Sequence, residues 1–387
     1  MTPTSPLITP ERARLIAEAR EFTRAEVAPI AGELDSAKQD VPDELMAKLA
    51  ERGYFGILIP KQYGGMGLGV FEYAIISEEL AKSWMSVASV LARAQGMGTA
   101  VADLDRRDEL LRRAAAGQWI AGAALSEADA GSDLAAVSTA AVREGDHYVI
   151  NGDKRWCGMA KVADFILLLA RTGEDRHKGL DTFILPKARG TFPKGVTGEE
   201  LPKIGYHGIT SWSLHLENVH VPAENLLVQA DHTGTGFYDT VRMLNRARVH
   251  TAARAVGAAQ GALDEATEYA KSRVQFGRPI AEFQAIQFKL ADMVTAIEAA
   301  RQLYYYAAEL HDAGERCEKE CSMAKLFASE MAERVTSEAM QILGGNGYTT
   351  LYSTERHWRD ARLTKIFEGT SEIQRLIISK RHLAEVP

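Results

Sequence analysis

Apolar residues recur at helical spacing through the first part of the chain, to about residue 118. The first such run contains Leu15, Ala19, Phe22 and Val27. This spacing predicts a helix that buries one face. Thr9 is the predicted N-cap, because Pro10 follows it at the first helical position and Glu11 lies in the first turn.

Three more segments of this region have helical patterns. One starts at Pro42 and ends near Gly53, and the next covers residues 71–81 after the glycine-rich break at 63–69. The third, residues 86–102, is rich in alanine and glycine, which favours close helix packing.

The pattern changes at residue 119, where short β-rich runs alternate with turn signals up to about residue 229. The pair Asn151-Gly152 predicts a hairpin turn after the second run. These runs predict a small antiparallel β domain that ends at Pro222, and they cover residues 119–125, 147–150, 165–170, 182–185 and 213–216.

Long alanine-rich segments with helical spacing fill the remainder of the chain. They cover residues 245–272, 279–310 and 318–343, and smooth helices of this kind are typical of a bundle. The predicted fold class is therefore α+β. Its three domains are helical (1–118), antiparallel β (119–230) and a helical, four-helix-bundle-like domain (231–387).

Composition narrows the class of protein. A chain of 387 residues with 46% hydrophobic residues has room for two or three units and a large core. The formal charge of −7 is spread without a long block of one sign, which argues against a nucleic-acid binder. The longest apolar run, 165–170, is too short to cross a bilayer.

Cysteine usage and the N-terminus favour a cytoplasmic location. Three cysteines, Cys157, Cys317 and Cys321, form no disulfide framework and fit a reducing compartment. The last two are four residues apart on a predicted helix but lack a histidine pattern beside them, so a metal site is not expected. The first fifteen residues lack the pattern of a secretory signal.

Glu368 is the first candidate for chemistry. It lies between large apolar residues and a glycine in the segment IFEGTSEIQ. Ser371 and Gln374 fit a capping box, so a helix is predicted to begin directly after it. Apolar surroundings and a helix N-terminus act on a carboxylate in opposite directions, a balance that suits a general base near neutral pH. The alternative is an ordinary glutamate on a surface loop.

Several motifs in register resemble those of the acyl-CoA dehydrogenase family over nearly the whole chain. The C-terminal part contains QILGGNGY, RDAR and IFEGTSEIQR within residues 341–375. Earlier matches are GYFGILIPKQYGGMGLG (53–69), SEADAGSD (126–133) and RVQFGRP (273–279). The resemblance implies the same helical, β and helical order, FAD as cofactor, and usually a homotetramer.

The resemblance also implies a reaction. Glu368 would abstract the α-proton of an acyl-CoA thioester while flavin N5 takes the β-hydride, and the electrons would pass to an electron-transfer flavoprotein. The Glu368 backbone N–H and a ribityl hydroxyl of FAD would polarise the thioester carbonyl. Gly369 would let the backbone approach the substrate. Some relatives carry the base just before an arginine, but Ala247 occupies that place here and cannot serve.

Two residues at the start of the helical segment 245–272 are assigned by the same resemblance. Arg248 would support the Glu368 loop or the substrate electrostatically; the alternative is an arginine that extends from a helix into solvent. Asn245 stands where relatives often have an aspartate that contacts the pantetheine of CoA, and its amide can still form a hydrogen bond.

The implied flavin site draws on separate segments. Ser132 would also touch CoA, Trp156 would screen one flavin edge, and Arg273 would face pyrophosphate charge from a neighbouring subunit. The other implied contacts run along the flavin (Leu125, Ser126, Gly131), across the subunit interface (Phe276, Gln284, Gln341, Gly344, Gly345) and at the adenine side (Thr370, Glu372).

One departure from the family pattern leaves alternatives open. Gly158 replaces the hydroxyl residue that normally binds near flavin N5, which permits a flavin monooxygenase or oxidase on the same fold. Retention of Glu368 argues against that, and also against a non-catalytic paralogue. Cys157 is predicted to be a small apolar filler.

The substrate is expected to be a short or branched acyl group, on CoA or on a carrier protein. Residues 84–95, which include Trp84 and Met85, and Phe367 are expected to set the depth of the pocket. Arg93 either meets a substrate carboxylate or is a solvated helix arginine, and the sequence favours the second.

Overall fold

The structure, a computed structural model, describes residues 5–95, 106–227 and 236–385. The first part is helical, as predicted. The predicted segment 86–102 falls partly outside the described residues, since only its first ten residues are covered. The helices of this part are α1 (Pro10–Phe22), α2 (Ala28–Ser36), α3 (Asp43–Glu51), α4 (Val70–Ala81), α5 (Met85–Gln95) and α6 (Arg107–Ala115).

The start of α1 is the one the sequence predicts. Thr9 is the N-cap, and its Oγ1 accepts a hydrogen bond of 3.3 Å from the Arg12 backbone N–H. The predicted apolar face, including Ala19 and Phe22, is buried in the core of this part. A single π-helical turn, Thr23–Val27, joins α1 to α2.

The middle part is one eight-stranded sheet. Its spatial order is β6-β7-β3-β1-β4-β5-β8, with β2 beside β3 and β4. Pairing is antiparallel apart from β1 with β4 and one residue pair of β2 with β4, which are parallel. The strands are β1 (Ala121–Ala124), β2 (Ala140–Glu144), β3 (His147–Gly158), β4 (Phe165–Arg171), β5 (Leu180–Pro186), β6 (Val196–Glu200), β7 (Ser211–Pro222) and β8 (Leu226–Leu227).

The predicted hairpin turn at Asn151-Gly152 is wrong, because β3 runs straight through these residues. They lie at a register shift between β3 and β7, where the Asn151 side chain accepts a 2.8 Å hydrogen bond from the Asn218 N–H. Gly152 lacks a side chain because a Cβ there would lie 2.7 Å from Thr139. The two-residue turn is Gly145-Asp146, which joins β2 to β3.

The C-terminal part is a helical bundle with a short hairpin. The hairpin consists of β9 (Val274–Gln275) and β10 (Arg278–Pro279), so Pro279 lies in a strand and not in the helix predicted to start there. The helices are α7 (Gly236–Ser272), α8 (Gln284–Asp312), α9 (Glu318–Leu343), α10 (Thr354–Thr364) and α11 (Ser371–Glu385).

Small residues allow α4 and α7 to approach closely. A Cβ at Gly257 on α7 would lie 2.3 Å from the Glu78 carbonyl oxygen on α4. Beside this contact the Glu78 carboxylate, which is buried, pairs with Arg301 of α8 at 2.9 Å. The helical bundle is therefore packed directly against the N-terminal helices, which places α4, α5 and α7 around one interior.

The order of helical, β and helical parts confirms the predicted α+β fold class. Within the described ranges, no helix combines the length and the apolar character that a membrane crossing requires.

Candidate active site

The Glu368 loop connects α10 to α11 in a strained conformation. Glu368 has φ of 57° and Gly369 has φ of 85°, so two successive residues occupy the left-handed region. That region costs a non-glycine residue about 1–3 kcal/mol and persists only where its surroundings enforce it. The loop therefore has to be fixed by contacts from other elements.

Three side chains fix the loop. The Gln374 amide donates to the carbonyl oxygens of Glu368 at 3.3 Å and Gly369 at 2.9 Å. The Lys325 ammonium, from α9, donates to the same Gly369 oxygen at 2.7 Å. Thr370 caps α11, since its Oγ1 accepts a hydrogen bond of 3.3 Å from the Ile373 N–H.

These contacts correct the predicted capping box. The helix does begin at Ser371, but the cap is Thr370, one residue earlier. The Ser371 hydroxyl oxygen is buried, and Gln374 reaches back to the loop carbonyls instead of to a capping N–H. The adenine-side role of Thr370 and Glu372 stays a prediction.

Two buried cations, Arg248 and Lys325, lie within electrostatic range of the Glu368 carboxylate. Arg248 is only 4% exposed, which rules out the alternative of an arginine that extends into solvent. Burial lowers the pKa of Arg248, and the negative charge of Glu368 is among the groups that oppose this shift. Burial likewise lowers the pKa of Lys325 to about 8, with Glu368 the largest opposing influence. The carboxylate thus faces two cations that have little water around them.

Asn245 and Arg248 are joined one helical turn apart on α7. The Arg248 Nη1 donates to the Asn245 side-chain oxygen at 2.7 Å. The Arg248 Nε is buried and has no hydrogen-bond partner among the described residues. Asn245 therefore orients Arg248, and its predicted contact with pantetheine stays a prediction.

The segment predicted to follow the flavin is held by a buried ion pair. Lys154 of β3 pairs with Glu127 at 2.9 Å and also donates to the Leu125 carbonyl oxygen at 3.0 Å. The Ser126 carbonyl oxygen accepts from the Arg155 N–H at 2.9 Å. These contacts fasten residues 125–127 to β3 directly before Trp156.

Several predicted cofactor residues leave backbone or rings open to a ligand. A Cβ added at Gly131, Gly344 or Gly345 would meet no atom within 4 Å, so internal packing does not explain these glycines. The Trp156 side chain is 60% exposed with φ of 63°, and Phe276 is 94% exposed with φ of 51°. Backbone strain at exposed aromatic residues is typical of functional sites.

The remaining predicted cofactor residues share an exposed position. Among the described residues of the single chain, they form no hydrogen bond with β3. They are Ser132, Arg273, Gln284 and Gln341, and the exposure of the last three fits a contact made from a neighbouring subunit. Exposed rings, open glycine backbone and the Arg273 cation together fit an aromatic cofactor with a pyrophosphate.

Gly158 is buried at the end of β3, beside Arg93 of α5. A Cβ at Gly158 would lie 2.9 Å from Arg93 Nη2, so the guanidinium occupies the space that a larger side chain would need. Arg93 is partly buried and its Nε is shielded from solvent. The interpretation as a solvated helix arginine is therefore wrong.

Cys157 lies in the core of the β part. Burial raises the pKa of its thiol to about 12, which agrees with the predicted role as an apolar filler. Cys317 and Cys321 are also buried, with their sulfur atoms 3.6 Å apart.

Sequence reasoning missed Lys325 and Arg254. Arg254 is 2% exposed on α7, and its guanidinium stacks on Phe367, the residue before Glu368, at 4.9 Å from the ring centre. The sequence offered no clear signal for either, because both helices also carry solvent-exposed charged residues and only the packing shows which ones are buried. Phe367 itself packs against the N-terminal core, as the predicted pocket residues Trp84 and Met85 do.

Comparison with known proteins agrees with this arrangement. Three family models match in order: the acyl-CoA dehydrogenase N-terminal domain at residues 9–118, the middle domain at 122–219 and the C-terminal domain at 234–383. An acyl-CoA dehydrogenase of Bacillus subtilis (strain 168) is 39% identical over 96% of this chain and 98% of its own length.

Two further similarities extend the comparison. The Caffeyl-CoA reductase-Etf complex subunit CarC of Acetobacterium woodii is 38% identical over 93% of this chain and 95% of its own length. The solved structure of butyryl-CoA dehydrogenase from Megasphaera elsdenii has a TM-score of 0.91 and 34% identity, covering 97% of this chain and 98% of that one.

The fold, the Glu368 loop and the similarity to known proteins together define the chain as an oxidoreductase that acts on acyl-CoA thioesters. The chain belongs to the acyl-CoA dehydrogenase family.

Proposed function

We propose that this chain is an FAD-dependent dehydrogenase that converts a short or branched acyl-CoA into the trans-2-enoyl-CoA. The observation that carries the proposal is the Glu368 carboxylate on a strained loop beside buried Arg248 and Lys325. FAD, when bound, supplies the acceptor for the β-hydride.

Glu368 acts as the general base and accepts the α-proton on a carboxylate oxygen. The electron pair of the α-C–H bond forms the new double bond as the β-C–H bond breaks with loss of hydride. The α-C–H bond becomes acidic only when the thioester oxygen is polarised. In this proposal the Glu368 N–H is one donor to that oxygen, and Gly369 beside it leaves room for the thioester.

Arg248 and Lys325 stabilise the negative charge in the site. Both are buried, so their attraction for a carboxylate or an enolate-like oxygen is stronger than it would be in water. Lys325 also fixes the Gly369 carbonyl, so it holds the loop in position as well as supplying charge. We assign Arg248 to the reaction and Lys325 to positioning.

The cofactor residues follow the same proposal. Leu125, Ser126, Gly131, Ser132, Trp156 and Gly158 form the flavin side within one subunit. Arg273, Phe276, Gln284, Gln341, Gly344 and Gly345 would reach the cofactor from the next subunit, which favours a homotetramer. Their exposure in the single chain supports this arrangement.

An electron-transfer flavoprotein is the proposed electron acceptor. The name of the relative from Acetobacterium woodii assigns it to a complex with such a partner. An oxidase or monooxygenase reaction, which the missing side chain at Gly158 permitted, gains no support, because the Arg93 guanidinium fills that space.

Anaerobic titration of the purified protein with short, branched and straight acyl-CoAs tests the proposal. Bleaching of the flavin absorbance with a long-wavelength charge-transfer band is expected. A yellow protein that no acyl-CoA bleaches would contradict dehydrogenation, and a protein purified without flavin would contradict the cofactor assignment.

A further inference from the structure

Two arginines lie on one side of the site interior without a carboxylate partner. Within the described part of the chain, neither Arg93 nor Arg254 forms an ion pair. Arg254 is 2% exposed. A buried cation normally pairs with an anion, because its removal from water is energetically unfavourable. Among the described residues the balancing negative charge is missing, as it is in a site that receives an anionic ligand.

Among the described residues, Arg254 donates its hydrogen bonds only to neutral groups. Its Nη1 donates to the Ser89 hydroxyl at 2.6 Å and to the Tyr206 hydroxyl at 3.3 Å, and its Nη2 donates to Thr251 Oγ1 at 2.9 Å. The Nε is buried without a partner. The guanidinium is thus oriented by three hydroxyls while part of its donor capacity stays unused.

Arg93 lies close to Arg254 on the neighbouring helix. Ser89, which accepts from Arg254, is one helical turn before Arg93 on α5, so the two residues share a face of that helix. The Arg93 guanidinium lies against Gly158, and its Nε is also buried without a partner. Two incompletely bonded guanidiniums therefore converge on the space between α5, α7 and the end of β3.

Among the described residues, Glu368 acts on Tyr73 together with both arginines, and Asp360, Asp40 and Glu200 act on Lys203 together with Arg93. Asp360 and Asp40 already accept hydrogen bonds from the Tyr206 and Thr210 backbone N–H groups. His250 stacks on Tyr73 at 4.5 Å. Burial, followed by the positive charge of Arg254, lowers the pKa of His250 well below its ordinary value, so the ring is neutral. Burial raises the pKa of the Tyr73 hydroxyl, and the charges of Arg254, Arg246, Glu368 and Arg93 all act on it. These groups therefore surround one compartment.

The compartment is joined to the Glu368 loop. Phe367 stacks on Arg254 and packs edge-on against Tyr206 at 5.7 Å. Phe367 is the residue directly before the proposed base. An acyl chain whose α-carbon lies at Glu368 therefore has the two arginines within the same interior.

We propose that Arg93 and Arg254 bind a carboxylate at the far end of the acyl group, so that the substrate is the CoA monothioester of a dicarboxylic acid. The inference rests on the proposed dehydrogenase function and adds the substrate class. A guanidinium suits a carboxylate because its planar array of N–H groups matches the two oxygens. Gly158 has a role in this arrangement, since any side chain there would displace Arg93.

The test compares binding of acids with their neutral isosteres. The protein is the FAD-loaded Glu368→Gln variant, in which turnover is blocked and equilibrium binding is measured by calorimetry. The ligands are succinyl-, glutaryl- and adipyl-CoA, each beside the same thioester with a terminal amide. The best acid is expected to bind about tenfold or more tightly than its amide, the range for hydrogen bonds to a charged group.

Variants assign the effect to the two arginines. Arg93→Met and Arg254→Met are each expected to remove the acid-over-amide preference, and Arg254→Lys to keep part of it. Arg14→Met, a change at an exposed arginine of α1, is the matched control for net charge and should keep the whole preference. FAD content and thermal midpoint confirm that each variant is folded.

Three results would overturn the proposal. Amides that bind as tightly as the acids at every length would exclude a carboxylate site. If Arg14→Met lost the acid-over-amide preference to the same extent, the preference would reflect the net charge of the protein and not a site formed by the two arginines. An Arg93→Met variant with an altered flavin spectrum and an unchanged preference would assign Arg93 to the flavin. Bleaching of the wild-type flavin by neutral acyl-CoAs tests the dehydrogenase function separately, so failure of one does not imply failure of the other.

Discussion

The ion pair between Glu127 and Lys154 offers a quantitative test of how the flavin segment is held. Burial opposes ionisation of Glu127, but hydrogen bonds from Thr139 and Ser138 and the charge of Lys154 outweigh it and lower its pKa to about 2. Measured from an ordinary value of 4.5, this shift corresponds to about 3 kcal/mol of stability at neutral pH.

The net contribution of the pair is smaller than that figure. Burial lowers the pKa of Lys154 even though Glu127 opposes the shift. Keeping the lysine charged in the interior therefore subtracts from the stability that the pair contributes. Removal of Glu127 alone leaves a buried ammonium without its partner. Breaking a buried pair in this way typically costs about 3–5 kcal/mol.

We expect Glu127→Gln to lower the free energy of unfolding by about 3 kcal/mol in urea at pH 7, and to lower FAD retention because residues 125–127 lose their anchor. Glu144→Gln, an exposed carboxylate on β2, is the control and should change stability by less than about 0.5 kcal/mol. The double variant Glu127→Gln with Lys154→Met should cost less than the two single changes added together.

The stability that Glu127 contributes should fall as the pH is lowered. Because the folded-state pKa of Glu127 is depressed, its contribution is present above pH 4.5 and is lost as pH falls toward 2. The difference between wild type and Glu127→Gln should therefore shrink over that window. A cost below about 0.5 kcal/mol at pH 7, or single changes that simply add, would refute this account of the anchor.

Three other predictions follow from the site. Gly369→Ala should lower kcat/KM by about 10²-fold and lower the thermal midpoint modestly, because Gly369 has φ of 85° and a Cβ there would lie 2.6 Å from the Gln374 amide and shift the loop; near-normal activity would contradict this. Arg273→Ala should be purified with less FAD, measured by absorbance ratio, and full occupancy would remove its cofactor role. Gly158→Thr should raise KM for dicarboxylic acyl-CoAs and leave KM for neutral ones, since Arg93 must move; equal KM changes for both would argue against the carboxylate site.

The sequence predicted those parts of the fold that depend on local rules. Thr9 with Pro10 located the start of α1, and alanine-rich periodicity located the bundle helices. The prediction of a turn at Asn151-Gly152 failed because the same dipeptide also suits a register shift, and the choice depended on Thr139, the residue before β2, packing against Gly152. Local preference does not contain that contact.

The candidate site divides in the same way. Glu368 was predictable because its motif is contiguous and lies before a helix. Arg93 and Arg254 were not predictable as a pair, because their proximity depends on α5 and α7 being adjacent in the fold. Ser89 and Arg254, which form a hydrogen bond between these helices, are 165 positions apart in sequence. Arg254 is buried, Arg93 is partly buried, and neither has a carboxylate partner among the described residues, which is visible only in three dimensions.

Glu368→Gln provides the most direct test of the central claim. The variant and wild type, each loaded with FAD, are mixed anaerobically with the best acyl-CoA in a stopped-flow instrument, with Glu44→Gln on the exposed face of α3 as control. The account predicts retained FAD content and thioester affinity with a rate of flavin bleaching lowered by about 10²–10⁴-fold. A rate within about tenfold of wild type would show that another group takes the α-proton and would contradict the account.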